Sequence, residues 1–291
     1  MKKIFLIIIF LFVTNNLFAN TLEYKGLEKL SKKIRLTILE TIYNSKTGHI
    51  GGSFSCIDIL IVLFFKKIIF FNPKKPKLKN RDRFILSKGH ATAALYSLFA
   101  HLNYISFREL KTYCKNNSRL GSHPSHLVPG VEIETGSLGH GLPIACGIAF
   151  AALKDKKKFK IFVLISDGEL FEGSIWESLI FASHQKLKNL VIIIDNNNQI
   201  VMDHSKDVGD FKNLKKRLSS FNFIVDEIDG HNYASLNNSL KKSKKNEKPT
   251  IILANTVKGK GVSFMEKNTK WHHSIPSAEE YKMAIKELET V

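Results

Sequence analysis

Cysteine and acidic residues are both scarce in this chain of 291 residues. The three cysteines, Cys56, Cys114 and Cys146, are odd in number and show no close metal-ligand spacing, which argues against a disulfide framework and favours a reducing compartment. The 26 acidic residues are outnumbered by 44 basic ones, so the net charge is +18. The lysines are scattered or lie in connector runs at 154–160 and 241–248, without any nucleic-acid-binding motif. We therefore expect phosphorylated substrates and no nucleic-acid partner.

The chain also lacks internal repeats, low-complexity tracts and interdomain linkers after its first 20 residues. A chain of this length forms one large α/β domain or two small ones, and a hydrophobic content of 44% is sufficient for a substantial core. Because no linker divides it, we expect a single domain over residues 21–291.

Residues 1–20 differ from the rest of the chain, although their apolar run is too short for a confident membrane span. Lys2 and Lys3 precede apolar residues at 4–13, and the small residue Ala19 follows, which is the pattern of a secretory signal peptide. The alternative is an N-terminal extension that results from a start codon assigned too far upstream. Export or membrane tethering follows from the first interpretation, and a cytoplasmic location from the second.

Residues 159–203 show the pattern of one βαβ unit. The apolar runs at 159–165 and 190–194 have the length and composition of buried parallel strands. Between them, Ile175, Leu179 and Ala182 recur at helical spacing and define a face that covers a sheet. We therefore predict an α/β fold with an open, mostly parallel sheet and helices on both faces.

Polar residues follow both strands of this unit, as SDGE at 166–169 and DNNN at 195–198. A right-handed crossover brings both carboxyl ends to one edge of the sheet, where open α/β sheets bind ligands. Carboxylate and carboxamide oxygens there suit a Mg²⁺ ion that also binds a diphosphate, and Gly168 lets backbone N–H groups approach the anion. Either cluster alone is typical of a turn. Together they predict a metal and diphosphate site.

Further segments combine glycine with histidine or lysine. They are TGHIGGS at 47–53, RDRFILSKGH at 81–90, GSHP at 121–124, TGSLGHG at 135–141 and NTVKGKG at 255–261, with WHH at 271–273. A helix that begins after the turn at His90 can hold a phosphate at its N-terminus. Glycines around Leu138 allow a flat ring or a diphosphate to pack against the backbone. Each segment alone is typical of an ordinary loop.

In combination, these segments resemble the N-terminal half of transketolase over residues 22–285. The family motif for thiamine diphosphate is a strand ending in Asp-Gly, then Glu-Gly, a helix and a strand ending in Asn-Asn. Three positions depart from the family pattern, because Ser166 and His273 stand where glycine is usual and Ile50 where proline is usual. The resemblance implies a thiamine-diphosphate-binding fold and transfer of a two-carbon ketol unit from a ketose phosphate to an aldose phosphate, with Mg²⁺ replaceable by Ca²⁺ or Mn²⁺.

The resemblance also implies roles for individual residues. The implied metal ligands are the side chains of Asp167 and Asn197 and the main-chain carbonyl of Gln199, with Asn198 as the alternative to Asn197. The implied cofactor contacts are His90, Gly136, Leu138, Gly168, Glu169, Asn197 and His272. The implied catalytic residues are His49, His123, His272, Glu172 and Glu177. His273 remains an alternative to His272.

The resemblance implies a partner as well. In the family, the positions of Glu172 and Glu177 face a second active site across an interface, whereas as isolated residues they are typical of a solvated helix face. The glutamate that hydrogen-bonds the pyrimidine ring of the cofactor belongs to a second α/β domain of the family, and this chain ends at Val291. We therefore expect a heterotetramer that contains two copies each of this chain and of a separate C-terminal subunit. We also expect no turnover by this chain alone.

Two other interpretations compete with this one. Another thiamine-diphosphate enzyme, such as deoxyxylulose-phosphate synthase or a 2-oxo acid dehydrogenase component, shares the motif, but TGSLGHG and KGKGVSFME favour the transketolase branch. A non-catalytic exported binding protein that keeps the fold is indicated by residues 1–20 alone, and the intact metal and diphosphate positions argue against it. Sugar phosphates and the cofactor are cytoplasmic compounds, so we expect a cytoplasmic location.

Overall fold

The computed structural model describes residues 2–200, 203, 205–209 and 213–290, without the side chains of residues 2–22 and Lys206. The predictions that residues 1–20 are a signal peptide or an extension, and that a domain begins at residue 21, depend on side chains outside this description and stay predictions. In the part of the chain that the structure describes, no helix has the length and apolar character that a membrane crossing requires.

A parallel sheet forms the centre of the described chain. Its five strands are β1 (Arg83–Leu86), β2 (Ile161–Ser166), β3 (Leu190–Asn196), β4 (Ile224–Asp229) and β5 (Thr250–Asn255). They lie in the order β1-β2-β3-β5-β4 and every neighbouring pair is parallel. All six residues of β2 are buried, as expected of a strand covered on both faces. The predicted fold class is confirmed.

Helices lie before, between and after these strands. The described helices are α1 (Lys2–Ser45), α2 (Ile50–Phe65), α3 (Thr92–His101), α4 (Phe107–Leu110), α5 (Gly141–Lys154), α6 (Gly173–His184), α7 (Ser205–Val208), α8 (Leu214–Ser219), α9 (Tyr233–Ser243) and α10 (Ala278–Glu289). Short 3-10 turns follow β1 and β2, at Gly89–Ala91 and Asp167–Phe171.

Two hydrophobic cores lie on opposite faces of the sheet. On β2, Phe162 and Leu164 join the core formed with α1, α2, α3, α9 and α10, whereas Val163 and Ile165 join the core formed with α5, α6 and α8. Successive side chains of a strand point to opposite faces, so this alternation places helices on both sides. The molecule is therefore a three-layer α/β/α structure.

Helix α2 is mostly apolar and nearly all of its residues are buried, as expected of a helix at the centre of a domain. The glycine-rich segment at 47–53 predicts a loop and therefore a later start, but the helix begins at Ile50 and includes Gly51 and Gly52. A β-carbon at Gly52 would lie 3.1 Å from the ring of His90, so these glycines serve close packing rather than a loop. The earlier start carries His49 to the carboxyl edge of the sheet.

Candidate functional site

The register of the sheet brings the two predicted polar clusters to one edge. Ser166 at the end of β2 is paired with Asp195 on β3, so Asp167 follows one strand and Asn197 the other. The main-chain N–H of Thr256, after β5, donates to the carbonyl of Asn196 at 3.0 Å. Three successive strands therefore end in polar residues at the same place.

Asp167 is a buried carboxylate with only 1% of its surface exposed. It accepts hydrogen bonds from the hydroxyl of Ser205 at 3.0 Å and from the N–H of Gly168 at 3.1 Å. Burial, and then the nearby charge of Asp195, raise the pKa of Asp167 to about 6. A cation at this position would relieve both penalties.

The other predicted ligands lie beside Asp195. The side-chain amide of Asn197 donates to Asp195 at 3.4 Å, and its carbonyl oxygen accepts from the N–H of Gln199 at 3.2 Å. Gln199 is itself anchored to the carbonyl of Lys267 at 2.7 Å. Asn197 and Gln199 are buried, whereas Asn198 is exposed and has a left-handed φ of 59°. This placement favours Asn197 over Asn198.

No group of three or more His, Cys, Asp and Glu side chains has the arrangement of a metal site among the residues whose side chains are described. The predicted ligand set contains a single side chain of those types, Asp167, beside one carboxamide and one main-chain carbonyl. Such a set coordinates a metal only together with oxygen atoms from a ligand, which is how Mg²⁺ is commonly bound beside phosphates.

The strand ends that carry Asp167 and Asp195 form an acidic edge of the sheet. Next to it, five histidines come together around His49, and we call the space between them the cleft. The ring of His49 lies 5.5 Å from His90, 6.2 Å from His123, 5.2 Å from His272 and 4.4 Å from His273, between centroids. The rings of His90 and His272 are also 5.5 Å apart. The structure thus brings together all the histidines that the sequence singles out, from four separate segments.

Burial lowers the pKa of four of the imidazoles in this cleft, those of His49, His90, His123 and His272, which favours their neutral form. Burial, followed by neighbouring histidines and lysines, lowers the pKa of His49 to about 4, and burial with the charge of Lys258 lowers the pKa of His272 to about 3. The pKa of His90 also lies well below its ordinary value, again because of burial first. The Nδ1 atom of His49 is buried and has no hydrogen-bond partner among the described residues. A buried polar atom of this kind is expected to bond a ligand or water.

Two buried lysines complete the cleft, and sequence reasoning assigned neither of them a role. Lys88 is fully buried, and its ammonium group pairs with Asp195 and donates to the carbonyl of Gly52 at 3.0 Å. Lys258 is 3% exposed, and its ammonium group lies 2.9 Å from the carbonyl of Ile200 and 3.0 Å from Nδ1 of His272. Burial and the charge of Lys88 lower the pKa of Lys258 to about 8. Lysine is seldom buried, so composition gave no signal for either residue.

Asp195 is a second feature that the sequence did not distinguish. Besides Lys88 and Asn197, its carboxylate accepts from the hydroxyls of Ser55, at 2.6 Å, and Thr256. Burial disfavours its charge, but Lys88 and these donors outweigh burial and lower its pKa below the ordinary value. Asp195 is therefore a buried anion that fixes the positions of Lys88 and Asn197.

Glu169, a predicted cofactor contact, is fully buried and bonded to protein donors through both carboxylate oxygens. One oxygen accepts from the hydroxyl of Ser87 and from the N–H of Gly139 at 3.0 Å, and the other from the N–H of Ser166 at 3.0 Å. These bonds tie the ends of β1 and β2 to the TGSLGHG loop. A contact with the cofactor stays a prediction, while the bonds observed show that Glu169 positions this loop.

The TGSLGHG loop closes one side of the cleft. A β-carbon at Gly136 would lie 3.0 Å from the His123 ring, so the absence of a side chain there lets the two segments meet. Gly139 has a φ of 83°, and a β-carbon would lie 2.6 Å from Cβ of Glu172. Leu138 is half-buried between them. The loop therefore presents backbone and one apolar side chain, as a flat ring would require.

Glu172 and Glu177, the predicted proton-sharing pair, are exposed at the start of α6. In this chain, Glu172 packs against the TGSLGHG loop, and the described contacts connect neither glutamate with the histidines. Whether the two face a second subunit stays a prediction. Gly168, the remaining predicted position, directly follows Asp167 at the acidic edge, and its N–H donates to the carboxylate of Asp167 at 3.1 Å.

Comparison with known proteins agrees with this geometry. Residues 27–289 match the family described as transketolase, thiamine diphosphate binding domain. The chain is 40% identical over 268 residues to an apulose-4-phosphate transketolase subunit of Phocaeicola vulgatus, and the match covers 92% of this chain and 95% of that protein. It is 35% identical over 265 residues to the 6-deoxy-6-sulfo-D-fructose transketolase subunit SqwG of Clostridium sp., covering 90% of this chain and 96% of that protein.

Larger transketolases match over part of their length. The human transketolase is 34% identical over 256 residues, which is 86% of this chain but 40% of that protein. The crystal structure of transketolase from Campylobacter jejuni superposes with a TM-score of 0.84 at 34% identity and covers 90% of this chain and 42% of that one. The match over nearly all of the described sheet and cleft places the chain in the transketolase family, as a thiamine-diphosphate-binding domain.

Proposed function

We propose that this chain is the diphosphate-binding subunit of a two-subunit transketolase, which transfers a two-carbon ketol unit from a ketose phosphate to an aldose or aldose phosphate. The observation that carries the proposal is the convergence of Asp167, Asn197 and Gln199 with a cleft lined by histidines and by two buried lysines. Oxygen ligands for the metal on one side and hydrogen-bond donors with a cation on the other are what a metal diphosphate requires.

The acidic edge fits a divalent metal. Burial and Asp195 make the charge of Asp167 unfavourable, and a bound Mg²⁺ would compensate for both effects. Asp167, the carboxamide oxygen of Asn197 and the main-chain carbonyl of Gln199 would hold the ion together with oxygen atoms of the diphosphate. Ca²⁺ and Mn²⁺ prefer the same oxygen ligands and could substitute.

The cleft fits the diphosphate. Lys258 places a positive charge in the cleft, where burial keeps its field weakly screened, whereas the charge of Lys88 is already paired with Asp195. The neutral rings of His90 and His272 can donate hydrogen bonds to phosphate oxygens. The N–H of Gly168 lies at the acidic edge, and Gly136 and Leu138 would line the site of the ring.

Proton transfer would belong to the histidines at the open side of the cleft. His123 is exposed and His49 is half-buried with its free Nδ1 atom, so both can reach the hydroxyls of a bound sugar. Neutral imidazoles with lowered pKa values accept protons and return them. When bound, the cofactor would supply the stabilised carbanion chemistry.

A partner chain is supported by the relatives and by one surface. The Phocaeicola relative, which is named as a transketolase subunit, has nearly the same length as this chain, since 95% of it is covered. Helices α5 and α6 are in contact through Phe150 and Phe181, and they expose the apolar side chains of Ile144, Ile180 and Phe181. Exposed apolar side chains on neighbouring helices favour contact with another protein chain. We propose that the partner is a C-terminal transketolase subunit, in a heterotetramer that also covers Glu172 and Glu177.

The same proposal assigns the protein to the cytoplasm, where phosphorylated sugars occur, and treats residues 1–20 as an extension of a domain at 21–291. N-terminal sequencing of the native protein tests this assignment. A mature N-terminus just after Ala19 would instead show processing of a signal peptide.

The decisive experiment compares ketol transfer by the chain alone, by its candidate C-terminal partner alone, and by the mixture, with thiamine diphosphate and Mg²⁺ present. We expect activity only in the mixture. Calorimetric titration of the chain with cofactor and metal provides a readout that does not depend on turnover, and Asp167→Ala should abolish the heat of binding. Full turnover by the chain alone would refute the two-subunit proposal, and equal cofactor affinity of Asp167→Ala and the parent would refute the metal site.

A further inference from the structure

Behind the cleft, a histidine outside the proposed site forms two directional hydrogen bonds. Nε2 of His231, in the turn between β4 and α9, accepts from the main-chain N–H of Val257 at 2.9 Å. Its Nδ1 atom lies 2.7 Å from the carboxylate of Asp58 on α2. Because the bond from Val257 requires an unprotonated Nε2, the proton of the neutral ring must lie on Nδ1 and be donated to Asp58. The two bonds fix both the orientation and the tautomer of the ring.

Asp58 is held in place as an anion. Arg35 forms a buried ion pair with it at 2.8 Å, and the hydroxyls of Ser31 and Tyr233 donate to it at 2.5 and 2.9 Å. Burial disfavours the charge of this carboxylate, but Arg35 and the other donors outweigh burial and lower its pKa. The acceptor for Nδ1–H of His231 is therefore a carboxylate whose charged form is favoured and whose position is fixed by several donors.

The Val257 bond bears directly on Lys258, the next residue. On its other side, the N–H of Gly259 donates to the carbonyl of Gly51 at 3.1 Å. These two hydrogen bonds, donated by main-chain N–H groups, flank the Cα atom of Lys258 and set the direction in which its side chain leaves the backbone. The ammonium group then reaches Ile200 and His272 in the cleft.

We propose that His231, oriented by Asp58, is a positioning residue that holds the Val257–Gly259 backbone so that the Lys258 ammonium group is presented to an anion in the cleft. His231 does not touch the cofactor or the substrate in this arrangement. The inference rests on the proposed function, because it assigns Lys258 to the diphosphate.

Two substitutions of one residue separate positioning from simple stabilisation. In His231→Gln the side-chain oxygen can occupy the place of Nε2 and still accept from Val257. In His231→Asn the amide can occupy the place of Nδ1 and still donate to Asp58, but it is too short to reach Val257. We expect His231→Asn to lose about five- to tenfold in affinity for thiamine diphosphate with Mg²⁺, and His231→Gln to stay within about twofold of the parent.

A direct readout needs no cofactor. Amide hydrogen exchange at Val257, measured by NMR on the full-length chain, should be slow in the parent and in His231→Gln and faster by a similar five- to tenfold in His231→Asn. Nitrogen-15 NMR of the parent should show His231 as the Nδ1–H tautomer. Tyr233→Phe is the matched control, because it removes a donor from the same carboxylate without changing the acceptor of Val257; its affinity and Val257 exchange should equal those of the parent.

Lys258→Met separates failure of this inference from failure of the proposed function. Parent-like affinity in Lys258→Met would show that this ammonium group does not serve the diphosphate, while exchange at Val257 would still test the role of His231. If Lys258→Met loses affinity but His231→Asn and His231→Gln behave alike in both affinity and exchange, the positioning role is wrong. A parent that carries the proton on Nε2 of His231 would also overturn it, even if every variant failed to fold.

Discussion

The substitution Asp167→Asn should stabilise the ligand-free protein while removing its binding of thiamine diphosphate with Mg²⁺. The pKa of this carboxyl rises from an ordinary value of 3.8 to about 6 because of burial and the charge of Asp195. A difference of about 2 pH units corresponds to about 3 kcal/mol of folding free energy. Asparagine is neutral and of the same size, and it keeps an oxygen for the hydroxyl of Ser205.

The sign of the pH dependence follows from the raised folded pKa. The contribution of Asp167 to stability is fully present below about pH 4, the range of the unfolded pKa, and is lost as the pH rises through about 6. Asparagine does not titrate, so the asparagine variant loses no free energy of unfolding at this position over the same pH range. The variant should therefore exceed the parent in free energy of unfolding by about 3 kcal/mol at pH 7.5 and by less than about 1 kcal/mol at pH 4.

Denaturant unfolding of both proteins at these two pH values, without ligand, measures the difference. Other groups that titrate in this interval are present in both proteins, so their contributions to the difference in free energy of unfolding largely cancel. Addition of thiamine diphosphate and Mg²⁺ should raise the stability of the parent only. Asp58→Asn is a control in which the change in stability should have the opposite sign. Arg35 lowers the pKa of the Asp58 carboxyl in spite of burial, so removal of this charge should destabilise the fold at pH 7.5. An Asp167→Asn variant less stable than the parent at pH 7.5, or a difference that does not change with pH, would refute the reasoning.

Three further predictions concern the cleft. His90→Ala should weaken thiamine diphosphate binding about tenfold or more in calorimetric titration with little change in melting temperature, because the ring lies at a ligand edge; a core-like fall in melting temperature with unchanged affinity would make the histidine structural. Glu169→Ala should cost about 3 kcal/mol in denaturant unfolding, since it leaves the buried donors of Ser87 and Gly139 without an acceptor, and a loss below about 1 kcal/mol would contradict that role. Gly139→Ala should cost about 2 kcal/mol, through its φ of 83° and the contact with Glu172; the matched control Gly147→Ala meets nothing within 4 Å and should be nearly neutral or stabilising.

Local pattern alone was sufficient for much of the framework. β2 and β3 are continuous runs of apolar residues, and such runs bury on both faces wherever they occur, so their positions were predicted to within two residues. The rule that parallel strands end at one edge then brought Asp167 and Asn197 together without any knowledge of long-range contacts. Local rules failed at Gly51 and Gly52, which predict a loop in isolation, because the atoms that pack against them come from Trp271 and His90, far away in the chain.

The charges of the buried residues in the cleft depend on contacts that form only in the folded chain. Lys88 and Asp195 are 107 positions apart, and nothing near either residue in the sequence distinguishes a buried pair from two surface charges. The same is true of Lys258, whose lowered pKa depends on burial and on the proximity of Lys88. Local sequence fixes which residue types follow each strand. Burial, hydrogen-bond partners and pKa values depend on atoms that only the folded chain brings within a few ångströms, and these quantities determine which side chains can serve the cofactor.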